Sequence, residues 1–142
     1  KELDRETYVD PTVRREAEAV LGLIEAFEQG RVELVSSQYL EFEVGQDPDR
    51  DRVARVRSLL ELAKHRISAS LAVIERAKAL ERHGVRGLDA LHLASAETGR
   101  ADLLVTTDDR LLRRSKRARG DSTLRVVSPL DALAMLEPGD EP

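Results

Sequence analysis

Between Thr12 and Glu28 the apolar positions Val13, Ala17, Val20, Leu21, Leu23, Ile24 and Phe27 recur every three or four residues, which predicts an amphipathic helix. Pro11 suits its first turn and Gly30 is placed to stop it. The run Val32 to Val35 is short and β-branched, so it predicts a buried strand, with Ser36-Ser37 capping a helix that reaches about Val44. After the turn GQDPDRD, residues Arg52 to Lys64 carry Val53, Val56, Leu59, Leu60 and Ala63 along one face and predict a third helix. A brief extended stretch, Arg66 to Ser68, leads to Ser70 as the cap of a helix over Leu71 to Arg82, closed by Gly84. Beyond the break at Gly87 the pattern predicts a helix from Asp89 to Thr98, a strand from Leu103 to Thr106 and a helix from Arg110 to Ala118. A strand from Leu124 to Val127 follows, and Ser128-Pro129-Leu130-Asp131 starts a last helix with a cap, a first-turn proline and an acid at its positive end.

Apolar β-runs alternating with helices imply an α/β domain whose parallel sheet is covered on both faces. Three strands are convincing. A doubly wound sheet usually begins with a central strand, whereas this chain begins with polar residues and a helix. One domain is expected over residues 1–137, with 138–142 as a disordered tail.

Composition narrows the function more by exclusion than by suggestion. With 142 residues, 41% of them hydrophobic, the chain has enough apolar material for one core. Its net charge of −4 argues neither for nor against a nucleic-acid partner, and an aromatic share of 3% weakens the case for a base-stacking platform. Without cysteine there are no disulfides and no thiolate ligands, so any metal needs oxygen or imidazole donors. No apolar run approaches the roughly 18 residues of a membrane span. A soluble, cytoplasmic protein without a membrane partner is expected. Residue 1 is Lys rather than Met, so either the chain has been processed or its true start lies upstream.

The densest chemistry lies in GVRGLDALHLASAETGRADLLVTTDDRLL, residues 84–112. Asp89 stands at the start of a helix and Asp108 just beyond a strand, and paired acids at element ends can share a hard metal ion. Functional groups of open α/β sheets gather at the carboxyl ends of strands. There Asp108 is joined by Glu41 or Glu43, in the helix after VELV. Helix capping is the competing role for either aspartate alone. Residues 41 and 43 point roughly 200° apart on a helix of about 3.6 residues per turn, so only one of them faces a cleft. Arg110, Arg113, Arg114 and Arg117 share a helix face opposite Leu111 and could grip an RNA backbone beside the site, the alternative being a solvated face. Thr106 or Thr107 could offer a hydroxyl to water or phosphate. His92, between Leu91 and Leu93, reads as a packed histidine, and His65 and His83 as helix-end residues in favourable dipole contact.

The run LDALHLASAETGRADLLVTTDDRLL resembles the C-terminal signature of PIN-domain ribonucleases, the family that includes the VapC-type toxins of bacterial toxin–antitoxin pairs. More loosely, REAEAVLGLIE, VSSQYLEFEV and the closing strand and helix fall in the same order. The resemblance implies a three-layer αβα fold with a central parallel sheet and a metal-dependent endoribonuclease. In that family three or four acids hold one or two Mg²⁺ or Mn²⁺ ions. Carried over by position, Asp89 matches the helix aspartate and Asp108 the aspartate after the strand, with Asp109 adjacent to assist. The family's glutamate has two candidates in LEFEV, of which Glu43 is favoured and Glu41 is the alternative. The resemblance further implies an RNA substrate, a homodimer and a cognate antitoxin protein. The family's first aspartate, at the end of its first strand, has only Asp10 in TYVDP as an imitation, and Pro11 gives that residue the look of a loop. The first strand and its aspartate are therefore expected to precede Lys1. The alternative function is a catalytically silent PIN-like module that binds RNA or a protein.

Overall fold

The computed structural model describes residues 10–136; the tail expected over 138–142 lies outside them. Helix α1 (Pro11–Glu28) begins where expected, because the Thr12 amide donates to the Asp10 carboxylate at 2.8 Å and proline occupies the first turn. Its end is set by Gly30, whose φ of +78° is a left-handed conformation that costs glycine little. Of the expected apolar stripe on α1 only Leu23, Ile24 and Phe27 are half-buried, whereas Val13 and Leu21 remain 56% and 62% exposed; the two fully buried residues, Ala19 and Ala26, lie outside that set. The buried side packs on α7 (Pro129–Leu136). Contact there is close enough that a Cβ at Gly22 would lie 3.1 Å from both Leu133 methyls.

Four strands form among the described residues, one more than the convincing three. Strand β1 (Val35–Ser37) pairs in parallel with β2 (His65–Ile67), Val35 opposite His65 and Ser37 opposite Ile67. The strand expected over Val32 to Val35 thus sits later in the chain. Pairing with β2 draws Ser36 into the ladder, and Ser37 alone caps α2 (Gln38–Gly45), accepting the Leu40 amide at 3.0 Å. Helix α3 (Arg50–Leu60) starts two residues earlier than expected, because Asp49 is its cap, and stops before Lys64 as a tight turn over Leu62 and Ala63 leads into β2. His65 consequently lies in a strand rather than at a helix end, with its Nε2 3.1 Å from Glu33.

Helix α4 (Leu71–Arg82) runs as expected from its Ser70 cap. Helix α5 (Gly87–Thr98) opens at Gly87, two residues before Asp89. Strand β3 (Leu103–Val105) is followed by α6 (Asp109–Ala118), and β4 (Arg125–Val127) pairs with β3 in parallel. The single central sheet is not what the described residues show. They form two separate two-stranded parallel sheets, β1 with β2 and β3 with β4. A ladder needs neighbours about 4.8 Å apart, and between β1 and β3 lies a cavity of about 320 Å³ that both strands line.

The core sits where α4 packs on α5: Val73, Ala77, Leu80 and Val85 meet Ala90, Leu93 and Ala94. Small residues on α5 let it approach both sheets, and it touches β1, β2 and β3. At its C-cap, a Cβ on Gly99 would fall 2.7 Å from Ile67 Cδ1, so glycine admits β2 at that end. Among the described residues no helix is long and apolar enough to cross a membrane. Leu80 is 1% exposed at the centre of this core. Leu80→Ala should cost about 3 kcal/mol through lost burial and the cavity left behind, read as a lower urea midpoint with unchanged slope.

Candidate active site

Three elements bring one acid each to the cavity between the half-sheets. Glu43 comes from α2, Asp89 from the first turn of α5 and Asp108 from the turn after β3, and all three line the same space. Two of these elements follow the carboxyl ends of parallel strands, where an α/β fold leaves room for side chains to converge.

The two glutamate candidates have separated. Glu41 is bound to its own scaffold: Arg66 Nε and Nη2 donate to its carboxylate at 2.8–3.0 Å and the Ser36 hydroxyl donates at 3.0 Å. The Arg66 guanidinium holds its carboxyl below the usual range, against a smaller opposing effect of burial. That pair ties α2 to β2. Glu43 points the other way, into the cavity, where His92 Nε2 lies 2.9 Å from its Oε1. Phe42 beside it is 59% exposed and contributes nothing to the cleft.

The aspartates also differ in kind. Asp108 is a helix cap, accepting the Arg110 and Leu111 amides on Oδ1 at 2.9 and 3.3 Å, while Thr106 Oγ1 accepts the Asp108 amide at 3.1 Å. Capping thus fixes Asp108 beside the cavity and leaves its second oxygen outside the cap. Asp89 does not cap, because α5 begins at Gly87 and its N-cap, Arg86, makes no side-chain cap bond. Half-buried, its carboxyl is pushed above the ordinary range, chiefly by burial and next by the negative charge of Asp108. Glu43 adds to that rise, and His92 and Arg114 oppose it. Asp109 is exposed in the first turn of α6 and does not line the cavity.

Helix α6 buries Leu111, Ser115 and Ala118 and leaves Arg110, Arg113, Arg114 and Arg117 exposed. None of the four arginines is ion-paired with a carboxylate of the described residues. Ser95, on the α5 turn after His92, is 3% exposed, and among the described residues its Oγ is the only buried side-chain polar atom without a partner. It too lines the cavity. The donors around this space are carboxylate oxygens, the kind a hard divalent cation prefers. Among the described residues, however, no three His, Asp or Glu stand close enough together to hold an ion. The residues suit such an ion in type but do not stand close enough together to enclose one.

Sequence reasoning missed the His92–Glu43 bond and the Glu41–Arg66 clamp. The i, i+3 spacing of Asp89 and His92 already placed both on one face, but partners 49 and 25 residues away in the chain leave no local signal.

Carboxylates gathered beyond the ends of parallel strands, with a cationic helix alongside, make an α/β domain suited to phosphodiester chemistry. The PIN domain family matches residues 12–117, a span that includes all three acids, and the chain belongs to that family. PIN domains are generally metal-dependent nucleases. No curated protein and no solved structure matches the chain.

Because the folded pKa of Asp89 is raised, the fold favours its neutral form. The associated stability is fully present below the unfolded value near 3.9 and is lost as pH rises through the folded value. At pH 7 the ionised side chain therefore destabilises the domain. Asp89→Asn should melt at a higher temperature than the parent at pH 7, and the gap should close as pH falls below about 4, as thermal melts from pH 3 to 7 would show.

Proposed function

We propose that this protein is an endoribonuclease dependent on Mg²⁺ or Mn²⁺, with Glu43, Asp89 and Asp108 as its metal-holding acids. The observation that carries this reading is the convergence of those three carboxylates, from three separate elements, on one cavity. The raised pKa of Asp89 supports it, since burial beside like charges is the electrostatic arrangement that a cation relieves. When bound, the ion supplies positive charge to the phosphate oxygens and makes an attacking water more acidic. The chain's own residues do the rest: Asp108 is held by its capping bonds, Glu43 is oriented across the cleft, and the arginines of α6 offer charge to an RNA backbone. Asp109, exposed and one residue from Asp108, is at most an assisting ligand.

The three-layer arrangement around one central sheet belongs to the same reading. In this reading one more parallel strand would lie between β1 and β3, join the half-sheets and end beside Glu43, Asp89 and Asp108; that residues of both strands line one cavity supports it. An aspartate at that strand's end would bring a fourth carboxylate to a site that three do not close. Cleavage of labelled RNA should be compared for the 142-residue chain and for the same chain carrying an alternating apolar strand ending in aspartate ahead of residue 1. Cleavage should require Mg²⁺ or Mn²⁺, be stronger with the strand and fall at least about 100-fold with Asp89→Asn or Glu43→Gln. Metal-independent cleavage, or cleavage that survives both substitutions, sinks the proposal.

On the α6 face, Arg113→Gln with Arg114→Gln removes two cationic contacts. The slope of log affinity against log salt for single-stranded RNA should become shallower by about 1.4. An unchanged slope would mean that the face is only solvated surface.

The toxin of a toxin–antitoxin pair, acting in the cytoplasm as a homodimer and covered by an antitoxin, is the biological setting we propose. The exposed Phe42, Leu62 and Leu71 are compatible with protein partners. A second reading, a catalytically silent module that binds RNA or protein, is favoured by the lack of a three-ligand group among the described residues.

A further inference from the structure

Helix α2 carries Glu43 yet buries none of its eight residues. Glu43 has several rotatable bonds, and its side chain is 54% exposed. A carboxylate so placed sweeps through solvent unless something holds it, and fixing a Glu side chain costs on the order of 1–2 kcal/mol of rotamer entropy. Arg66 fixes the helix through Glu41, but that bond is made on the face turned away from the cavity. Among the described residues, the one side chain that hydrogen-bonds Glu43 is His92, at 2.9 Å.

His92 is well placed for this. Its side chain is 13% exposed and it projects from α5, the most deeply buried helix, between the core residues Ala90 and Leu93. It stands three residues after Asp89, on the same face, so one rigid helix presents both an acid of the site and a group that reaches the acid opposite. An ionised carboxylate can only accept, so the ring nitrogen facing it carries the proton. The contact therefore sets the tautomer: Nε2–H donates to Glu43 Oε1. No other imidazole reaches the site, since His65 pairs with Glu33 and His83 forms the C-cap of α4.

We infer that His92 is a positioning residue, which locks the Glu43 carboxylate into the cleft opposite Asp89 through an Nε2–H hydrogen bond. This rests on the reading of Glu43 as a metal-holding acid, although the bond itself can be tested without metal. Its chemistry is that of an outer group orienting a ligand, an arrangement whose loss typically weakens metal binding 10- to 100-fold.

Two measurements decide it. Long-range ¹H–¹⁵N NMR of the metal-free chain should show the His92 Nε2 protonated, with ring signals that shift and broaden in Glu43→Ala. An unprotonated Nε2, or a ring indifferent to Glu43→Ala, overturns the inference. Calorimetric titration with Mn²⁺ should then show binding weakened roughly tenfold in His92→Ala and largely restored in His92→Gln, whose amide can still donate. In a Glu43→Ala background, which leaves the ring no acceptor at this position, His92→Ala should add no further loss. Equal binding by parent and His92→Ala, or an undiminished loss in that background, also overturns it. If the parent binds no Mn²⁺, the same titration on the chain carrying the added strand decides the metal-site reading, which fails if that chain binds none, while the NMR result still decides whether His92 holds Glu43.

Discussion

Close packing of α5 is the constraint on which the rest of this structure depends. Ala90, Leu93, Ala94, Ser95 and Ala96 are all buried along its length. Alanine and serine leave so little bulk that α4 can lie against one side while β1, β2 and β3 touch the other. A larger residue at any of these positions would push two neighbours apart at once, since interiors at crystal-like density have no slack to absorb it. Among the described residues the strand pairs are not hydrogen-bonded to one another. Their relative placement is therefore carried by side-chain contact with this helix, and the acids that follow β1 and β3 inherit it. Asp89 rides on the same helix, so its position relative to Glu43 and Asp108 is fixed by core packing rather than by loops.

That arrangement divides polar labour between fold and chemistry. Glu41 and Arg66 satisfy each other and pin α2 to β2, which leaves Glu43 free to face inward. Asp108 does two jobs, because capping α6 uses one oxygen and its place beyond β3 sets the carboxylate at the cavity rim. Asp89 does only one. It caps nothing and sits half-buried near like charges, its carboxyl pushed up chiefly by burial and then by Asp108, with His92 and Arg114 opposing the rise. A carboxylate with no hydrogen-bond or ion-pair partner among the described residues, kept where its charge is unfavourable, is hard to explain as scaffold.

How much of this could be read from the residues depends on the range of the interactions that fix it. Helices were legible because their determinants are local: Asp10 and Pro11 start α1, Ser70 starts α4, and Gly30 and Gly84 stop the chain in left-handed conformations. Strand bounds were less so, since a three-residue strand is defined by its partner. Ser36 belongs to β1 because of Arg66, its opposite number in the ladder, and nothing in VELVSS announces that. The same holds for the site. Asp89 and Asp108 stood out by motif, and the helical angle between residues 41 and 43 showed that only one could face inward. Which one does so was settled by Arg66 and His92, residues from distant elements. The exposed stripe of α1 shows the converse failure, because periodicity predicts a face but not what lies against it.

The one orphan buried polar side chain among the described residues lies at the site rather than elsewhere in the core. Residues of β1 and β3 both line the cavity, and so does Ser95, whose hydroxyl is buried without a partner among the described residues. A buried orphan hydroxyl costs about 1–3 kcal/mol unless something in the cavity partners it. Water or backbone groups that enter this space can answer such a need, and Glu43, Asp89 and Asp108 line the same space. Among the described residues the orphan polar group of the interior and the acids of the site thus share one cavity, so whatever polar matter fills it bears on both at once.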